Sequence, residues 1–288
     1  MVFQQARDNQ PVPLQVIFYW DYDGEFGGER TKNPRRGWGY RDYEGTKRIL
    51  DVLDEYGIKA VFAIVGCAAT PGPLPYHAPA LIREIHERGH EVAAHAWQHE
   101  WLPSLKYHQL CQILRWSKEA LEDACGDEVI SFVPPWNVPH RFLRKFSLGI
   151  GELRHSFPSP TDIPSLFEAL AETGFQTCRA LYEPFSWTVE RMLFGHYRIY
   201  TPRNPEWVGN VLLIPVTTPG GFASDSTSVL DGQSGNGICS FWSHPQEFLH
   251  RDGRGCEENF RVLAERVKGM EQAGQLQICT AKGLIARV

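Results

Sequence analysis

Residues 14–27 read LQVIFYWDYDGEFG, and this stretch decides how the rest of the chain is understood. From Leu14 to Tyr19 only Gln15 is polar, which is the composition of a strand buried on both faces. Asp21 and Asp23 follow at once, and then Gly24. Aspartate before glycine is ordinary turn chemistry, so the pair alone says little. Two acids at a strand end gain meaning only if other reactive side chains occupy equivalent places.

Seven further runs have the same character: Ala60–Gly66, Glu91–His95, Val129–Val133, Thr177–Leu181, Val211–Val216, Ile238–Trp242 and Leu276–Thr280. Amphipathic or glycine-closed segments lie between several of them: Tyr43–Tyr56, Ala78–Arg88, Ser104–Ala124, Asp162–Thr173 capped by Thr161, and Glu257–Gln272. Alternating strands and helices imply parallel strands joined by helical crossovers. The expected fold is α/β, a single distorted barrel of seven or eight strands over residues 14–288, preceded by an extension over 1–13. A doubly wound open sheet is the alternative. Lys32–Gly39 and Thr217–Gly237 are expected to be long loops.

The bulk properties bound the function. The chain has 288 residues, 42% hydrophobic and 22% charged, with a formal net charge of -5. That balance suits a soluble protein with a large core and gives no general attraction to nucleic acid. No run is long and apolar enough to span a bilayer, and the first residues lack a hydrophobic leader, so the expected location is cytoplasmic. Seven scattered cysteines form no C-x-x-C pair and read as reduced thiols.

The remaining reactive side chains fall just past strand ends. HAWQHEW places His95 and His99 after the third expected strand, SFVPPWN places Pro135 and Trp136 after the fourth, and FWSHP places His244 after the seventh. In a parallel barrel these ends share one rim, where active sites form. Two imidazoles and a carboxylate suit zinc or a related divalent ion. Such an ion activates water and polarises a carbonyl, a second acid can act as base, and a separate histidine can protonate a leaving group.

The ordered set WDYDG, HAWQH, FVPPWN and WSH resembles the motifs of the NodB-homology polysaccharide deacetylases, carbohydrate esterase family four and its relatives. The D-x-D spacing is similar to that of a divergent branch, and HEVAAHAWQH is similar to the matching segment of lipid-linked aminoarabinose deformylases. The resemblance implies that Asp23, His95 and His99 bind one divalent metal, zinc first, with cobalt, nickel or manganese as alternatives. It implies that Asp21 is the base, His244 the acid, the backbone near Trp136 an oxyanion donor, and Trp242 a wall of the acyl pocket. The implied activity is metal-dependent removal of an N-acyl group, acetyl first, from an amino sugar or glycan precursor. Deformylation of a lipid-linked sugar, hydrolysis of a small non-sugar amide, or a catalytically silent glycan-binding barrel are the alternatives.

Two positions depart from the pattern. Val133 stands where the family has arginine, leaving Asp21 without its usual charged partner. No acid follows the sixth expected strand in IPVTTPGGF, and Asp225 is a distant candidate to tune His244. Outside the motifs, Arg30, Arg35 and Arg36 crowd the first loop, where guanidinium forks suit a substrate phosphate, although a solvated basic loop is the commoner explanation.

Overall fold

All eight expected strands form, and they join one curled sheet. The computed structural model describes residues 13–30, 37–137, 163–180, 202–231 and 237–287. Its elements run β1 (Leu14–Tyr22), α1 (Gly24–Arg30), α2 (Trp38–Tyr56), β2 (Val61–Ile64), α3 (Pro79–Glu87), β3 (Glu91–Ala94), α4 (Tyr107–Cys125) and β4 (Ser131–Phe132). They continue with α5 (Ile163–Glu172), β5 (Thr177–Ala180), β6 (Glu206–Val208), β7 (Val211–Pro215), α6 (Ser224–Thr227), β8 (Ile238–Ser243), α7 (Pro245–Phe248), α8 (Glu257–Gln272), β9 (Leu276–Ile278) and α9 (Ala281–Ile285). The strand order is β6-β7-β5-β4-β3-β2-β1-β8, with β9 also paired to β1. Every pairing is parallel except β6 with β7.

The period-two rule sorts the side chains of β1 between two cores. Val16, Phe18, Trp20 and Tyr22 pack outward into the layer shared with the helices. Ile17 and Tyr19 face inward with Val61, Ala63, Ala93, Val133, Leu212 and Ile214. Asp21 and Asp23 continue the inward series to the rim. Strands β7 and β8 have no ladder between them, and hydroxyls bridge the seam. Ser240 N donates to Thr217 Oγ1 at 2.7 Å, Ser240 Oγ to Pro215 O at 2.7 Å, and Thr218 Oγ1 to Ser240 O at 2.7 Å. The result is a distorted, partly closed barrel rather than an open doubly wound sheet.

Several expectations need adjusting. β6 was not expected. It turns back on β7 through Gly209 and Asn210, with Val208 opposite Val211, and Gly209 takes the positive φ of 61° that such a turn requires. The glycine-rich run after Asp23 is helical, although its propensity is poor. Tertiary contacts hold it: Gly24 N donates to Asp42 Oδ2 at 2.9 Å, and Glu25 accepts from Gly37 N and Gly39 N at 2.9 and 2.8 Å. Helix α2 therefore begins at Trp38, inside the expected loop. Helix α4 begins at Tyr107, after a short turn at Leu102–Ser104. The expected loop over 217–237 carries α6 and a turn at Ser228–Leu230. Residues 1–12, Thr161, Asp162 and the distal part of the basic loop lie outside the described residues. All seven cysteines are buried free thiols. Among the described residues no helix is long and apolar enough to cross a membrane.

Candidate active site

The strand ends bring Asp21, Asp23, His95, His99, Trp136, Trp242 and His244 to the wall of one cavity of about 340 Å³. Trp38, Asn137, Gln246 and Glu247 complete it. Pro135 is buried behind Trp136 and does not line the cavity. Arg35 and Arg36, together with the side chain of Arg30, lie outside the described residues.

The H-x-x-x-H pair does not sit on a helix. After β3 the chain turns through Ala96 and His99, both at positive φ (61° and 57°), which folds the second imidazole back towards the first. The Glu100 carboxylate holds this turn by accepting Trp97 N at 3.0 Å and Gln98 N at 2.9–3.0 Å. Gly66 N and Cys67 N, beyond β2, donate to Ala96 O and Trp97 O at 2.8 and 3.0 Å. The His95 and His99 ring centroids are 5.0 Å apart, and the Trp136 ring lies 4.3 Å from that of His99.

Asp23, His95 and His99 form the group whose donor atoms converge as a cation would require, and all three are buried. Asp23 Oδ1 lies 3.2 Å from His95 Nε2 and 3.4 Å from His99 Nε2, and makes no hydrogen bond of its own. His95 Nδ1 is 2.8 Å from Val133 O. A carbonyl only accepts, so Nδ1 carries a hydrogen, which leaves Nε2 facing the carboxylate oxygen as in a metal-ligating histidine. Two imidazole nitrogens converging on one carboxylate oxygen at this range can share a cation. One carboxylate and two imidazoles are a common donor set for zinc and its neighbours, so these residues fit the implied ion. Burial alone would raise the Asp23 carboxyl. The imidazoles of His99, His244 and His95 outweigh burial and hold it well below the usual carboxylate range.

Asp21 has a charged partner after all, contrary to the expectation drawn from Val133. The guanidinium comes from Arg179 on β5, three strands along the sheet from β2, where Asp21 pairs with Ala63. Arg179 Nη2 donates to Asp21 Oδ2 at 2.5 Å, and Nε and Nη2 donate to Asn137 Oδ1 at 3.1 and 2.7 Å. Both members of the ion pair are almost wholly buried. The guanidinium also lies over the Tyr19 ring, 4.6 Å from its centroid, and 5.5 Å from that of Trp242. The sequence signal was present: an arginine inside a fully buried four-residue strand needs a buried acid.

Asp225 does not tune His244, since it pairs with Arg254 at 2.5 Å on the surface. The acid at that place is Glu247, three residues after the histidine on α7. Its Oε1 lies 3.6 Å from His244 Nδ1, and Ser243 Oγ donates to its Oε2 at 3.0 Å. His244 Nε2 is 3.7 Å from Asp23 Oδ2. Burial pulls the His244 imidazole down, but Asp23, Glu247 and Asp21 outweigh it and push its pKa up to about 10. Trp242 Nε1 donates to Thr218 O at 3.1 Å, which fixes the indole at the cavity wall.

A buried acid outside the cavity ties the two loops together. Asp42, on α2, accepts Gly24 N through Oδ2 at 2.9 Å and Gln246 N through Oδ1 at 3.2 Å. Gly45, one turn on, lets α2 approach so closely that a Cβ there would run into the Pro245 carbonyl. Burial, reinforced by the Asp23 charge, pushes the Asp42 carboxyl well above its ordinary range.

Comparison with known proteins bears on the family resemblance and the fold. Residues 37–140 match the sequence profile of the family described as polysaccharide deacetylase. A stretch of 91 residues is 25% identical to a bifunctional xylanase/deacetylase of Pseudobutyrivibrio xylanivorans, covering 32% of this chain and 14% of that protein. Over 91 residues it is 26% identical to chitin deacetylase 1 of Cryptococcus neoformans, covering 32% and 18%. The matches thus span less than a fifth of those relatives' length. Among solved structures, a Mycobacterium smegmatis protein described as a polysaccharide deacetylase superposes with a TM-score of 0.65 at 19% identity, over 98% of this chain and 92% of that one. A family 4 acetyl xylan esterase from Clostridium thermocellum, solved with a cobalt ion, gives 0.50 at 15% identity, over 94% and 90%. The chain therefore has the fold of these deacetylases, and its residues 37–140 resemble the polysaccharide deacetylase family in sequence.

Proposed function

We propose that this polysaccharide-deacetylase-like barrel is a metal-dependent amidohydrolase that removes an N-acyl group, acetyl first, from an amino sugar or glycan precursor. One observation carries the reading: a buried Asp23–His95–His99 donor set lies in the same cavity as a separately paired carboxylate, Asp21, and a carboxylate-flanked imidazole, His244.

Asp23, His95 and His99 would hold the divalent ion. When bound, such an ion polarises an amide carbonyl and acidifies water. Asp21, held in place by Arg179, accepts a proton from the attacking water as the new C–O bond forms. The carbonyl electron pair moves to oxygen, where donors along the cavity wall stabilise it. His244 then gives its proton to the nitrogen as the C–N bond breaks, leaving a carboxylic acid and a free amine. Glu247 and Asp23 favour the protonated imidazole that this step needs. Trp38, Trp136 and Trp242 line the cavity and offer flat faces suited to a sugar ring.

The test is amine release from N-acetyl and N-formyl amino sugars by purified protein loaded with zinc. Release that depends on Asp21 and on the ion supports the reading. Full zinc occupancy with no amine released from any such substrate would favour a glycan-binding barrel instead.

A further inference from the structure

Asn137 is a residue that the sequence motifs did not single out. It follows Trp136 at the end of the β4 segment, and the two take φ of 55° and 60° in succession. Asparagine tolerates the left-handed region, but tryptophan does so at a cost of order 1 kcal/mol or more. The backbone is therefore held against its preference where the Asn137 side chain enters the cavity wall.

The Asn137 amide has only one possible orientation. A guanidinium can only donate, and two of its N–H groups, on Nε and Nη2 of Arg179, point at one atom of Asn137, at 3.1 and 2.7 Å. That atom must be the oxygen, so the NH₂ group faces the other way. Among the described residues no acceptor takes the Nδ2 hydrogens, and Asn137 lines the same cavity as Asp21 and His99, joined to Asp21 through Arg179. The carboxylates around it, Asp21, Asp23 and Glu247, are acceptors when ionised. An acyl oxygen that gains negative charge in such surroundings needs donors, and an amide NH₂ locked in direction meets that need without reorganising.

We infer that the Asn137 side-chain amide donates a hydrogen bond to the acyl oxygen of the substrate, with Arg179 setting its direction. This rests on the hydrolase reading above, and the same guanidinium then orients both the base and the acyl-oxygen donor.

The experiment compares zinc-loaded wild type with Asn137→Ala and Asn137→Asp. The affinity for acetohydroxamate, a small probe carrying the acyl oxygen, is measured by calorimetry, and kcat is measured on an N-acetyl amino sugar. Both variants should keep their zinc, and both should bind the probe at least about tenfold more weakly. Their kcat should fall by about 10²–10³-fold, as for other lost oxyanion donors. Asn137→Asp keeps an oxygen facing Arg179. If holding Arg179 were the only role, that variant would match wild type in affinity and kcat, and the inference would fall. Failure of wild type to bind the probe would also overturn it. If wild type binds the probe but releases no amine, while both variants lose the probe, the inference stands and the hydrolase reading falls.

Discussion

The two ends of the barrel solve the same problem in opposite ways. At the N-terminal ends of the strands, Glu91 is enclosed by donors: Ser131 Oγ bonds its Oε1, and Lys282 N bonds its Oε2 at 2.8 Å. Thr177 Oγ1 in turn donates to Ser131 Oγ at 2.7 Å. Burial raises the Glu91 carboxyl, and these hydrogen bonds only partly offset it. His90 uses Nδ1 to accept Ala60 N at 3.2 Å. At the C-terminal ends, Asp23 Oδ1 has no hydrogen bond and faces two imidazole nitrogens. All four non-glycine residues with positive φ among the described residues, Ala96, His99, Trp136 and Asn137, also sit at this end. At the first rim the carboxylate is satisfied by the protein's own donors, although His90 Nε2 has no partner among the described residues. The other is left electrostatically incomplete and strained, which is the condition of a site that expects a ligand.

The largest expected break in this contrast comes from the two aspartates. Asp23→Asn should strip most bound metal, read by elemental analysis, while leaving the fold intact. Asp21→Asn should keep the metal and lower kcat by about 10²–10⁴-fold, the usual worth of a general base. If Asp21→Asn loses the metal and Asp23→Asn retains it, the two roles are reversed.

Arg179 comes next. Arg179→Met leaves Asp21 buried without its partner, and breaking such a pair typically costs about 3–5 kcal/mol. Denaturant unfolding should show a loss of that order. Arg179→Lys should restore part of that stability. Unchanged stability in Arg179→Met would mean that the buried Arg179–Asp21 pair does not hold this rim together.

The opposite rim should respond in stability alone. Burial pulls the His90 pKa down from its ordinary value to about 4. Between pH 6.5 and 4 the unfolded chain therefore binds more protons than the folded one, so this contribution is intact above pH 6.5 and is lost on acidification towards pH 4. Replacing His90 with Asn should remove roughly 2–3 kcal/mol of acid sensitivity over that window, by the worth of each pKa unit. Identical acid denaturation curves would show that His90 does not set it. Smaller still, Glu91→Gln should cost about 1 kcal/mol, the net worth of a hydrogen bond, with metal content and turnover unchanged.

The same contrast explains what could be seen in the sequence. β1 and the D-x-D step were legible because strand alternation and the end of an apolar run are local features. His95 and His244 were legible because each sits one step past a strand, and His99 because it completes the H-x-x-x-H spacing with His95. Arg179 was missed because the family pattern directs attention to position 133, whereas the guanidinium arrives from a different strand, a relation only the curled sheet creates. Glu247 lies within three residues of His244, close enough to have been found by asking which acid shares a helical turn with it. Helix α1 was missed because its stability comes from Asp42 and Glu25 acting across the fold, not from GEFGGER itself.

The two-handed grip of Asp42 has a kinetic meaning. The loop that carries Asp23 and the loop that carries His244 are fastened to the same carboxylate, at 2.9 and 3.2 Å. Prising one loop away strands a buried oxygen and weakens the anchor of the other, so the two should open as one cooperative unit. Hydrogen exchange at the Gly24 and Gln246 amides should then report a shared opening free energy, and Asp42→Asn, which can accept at only one end, should release the amides from that common value.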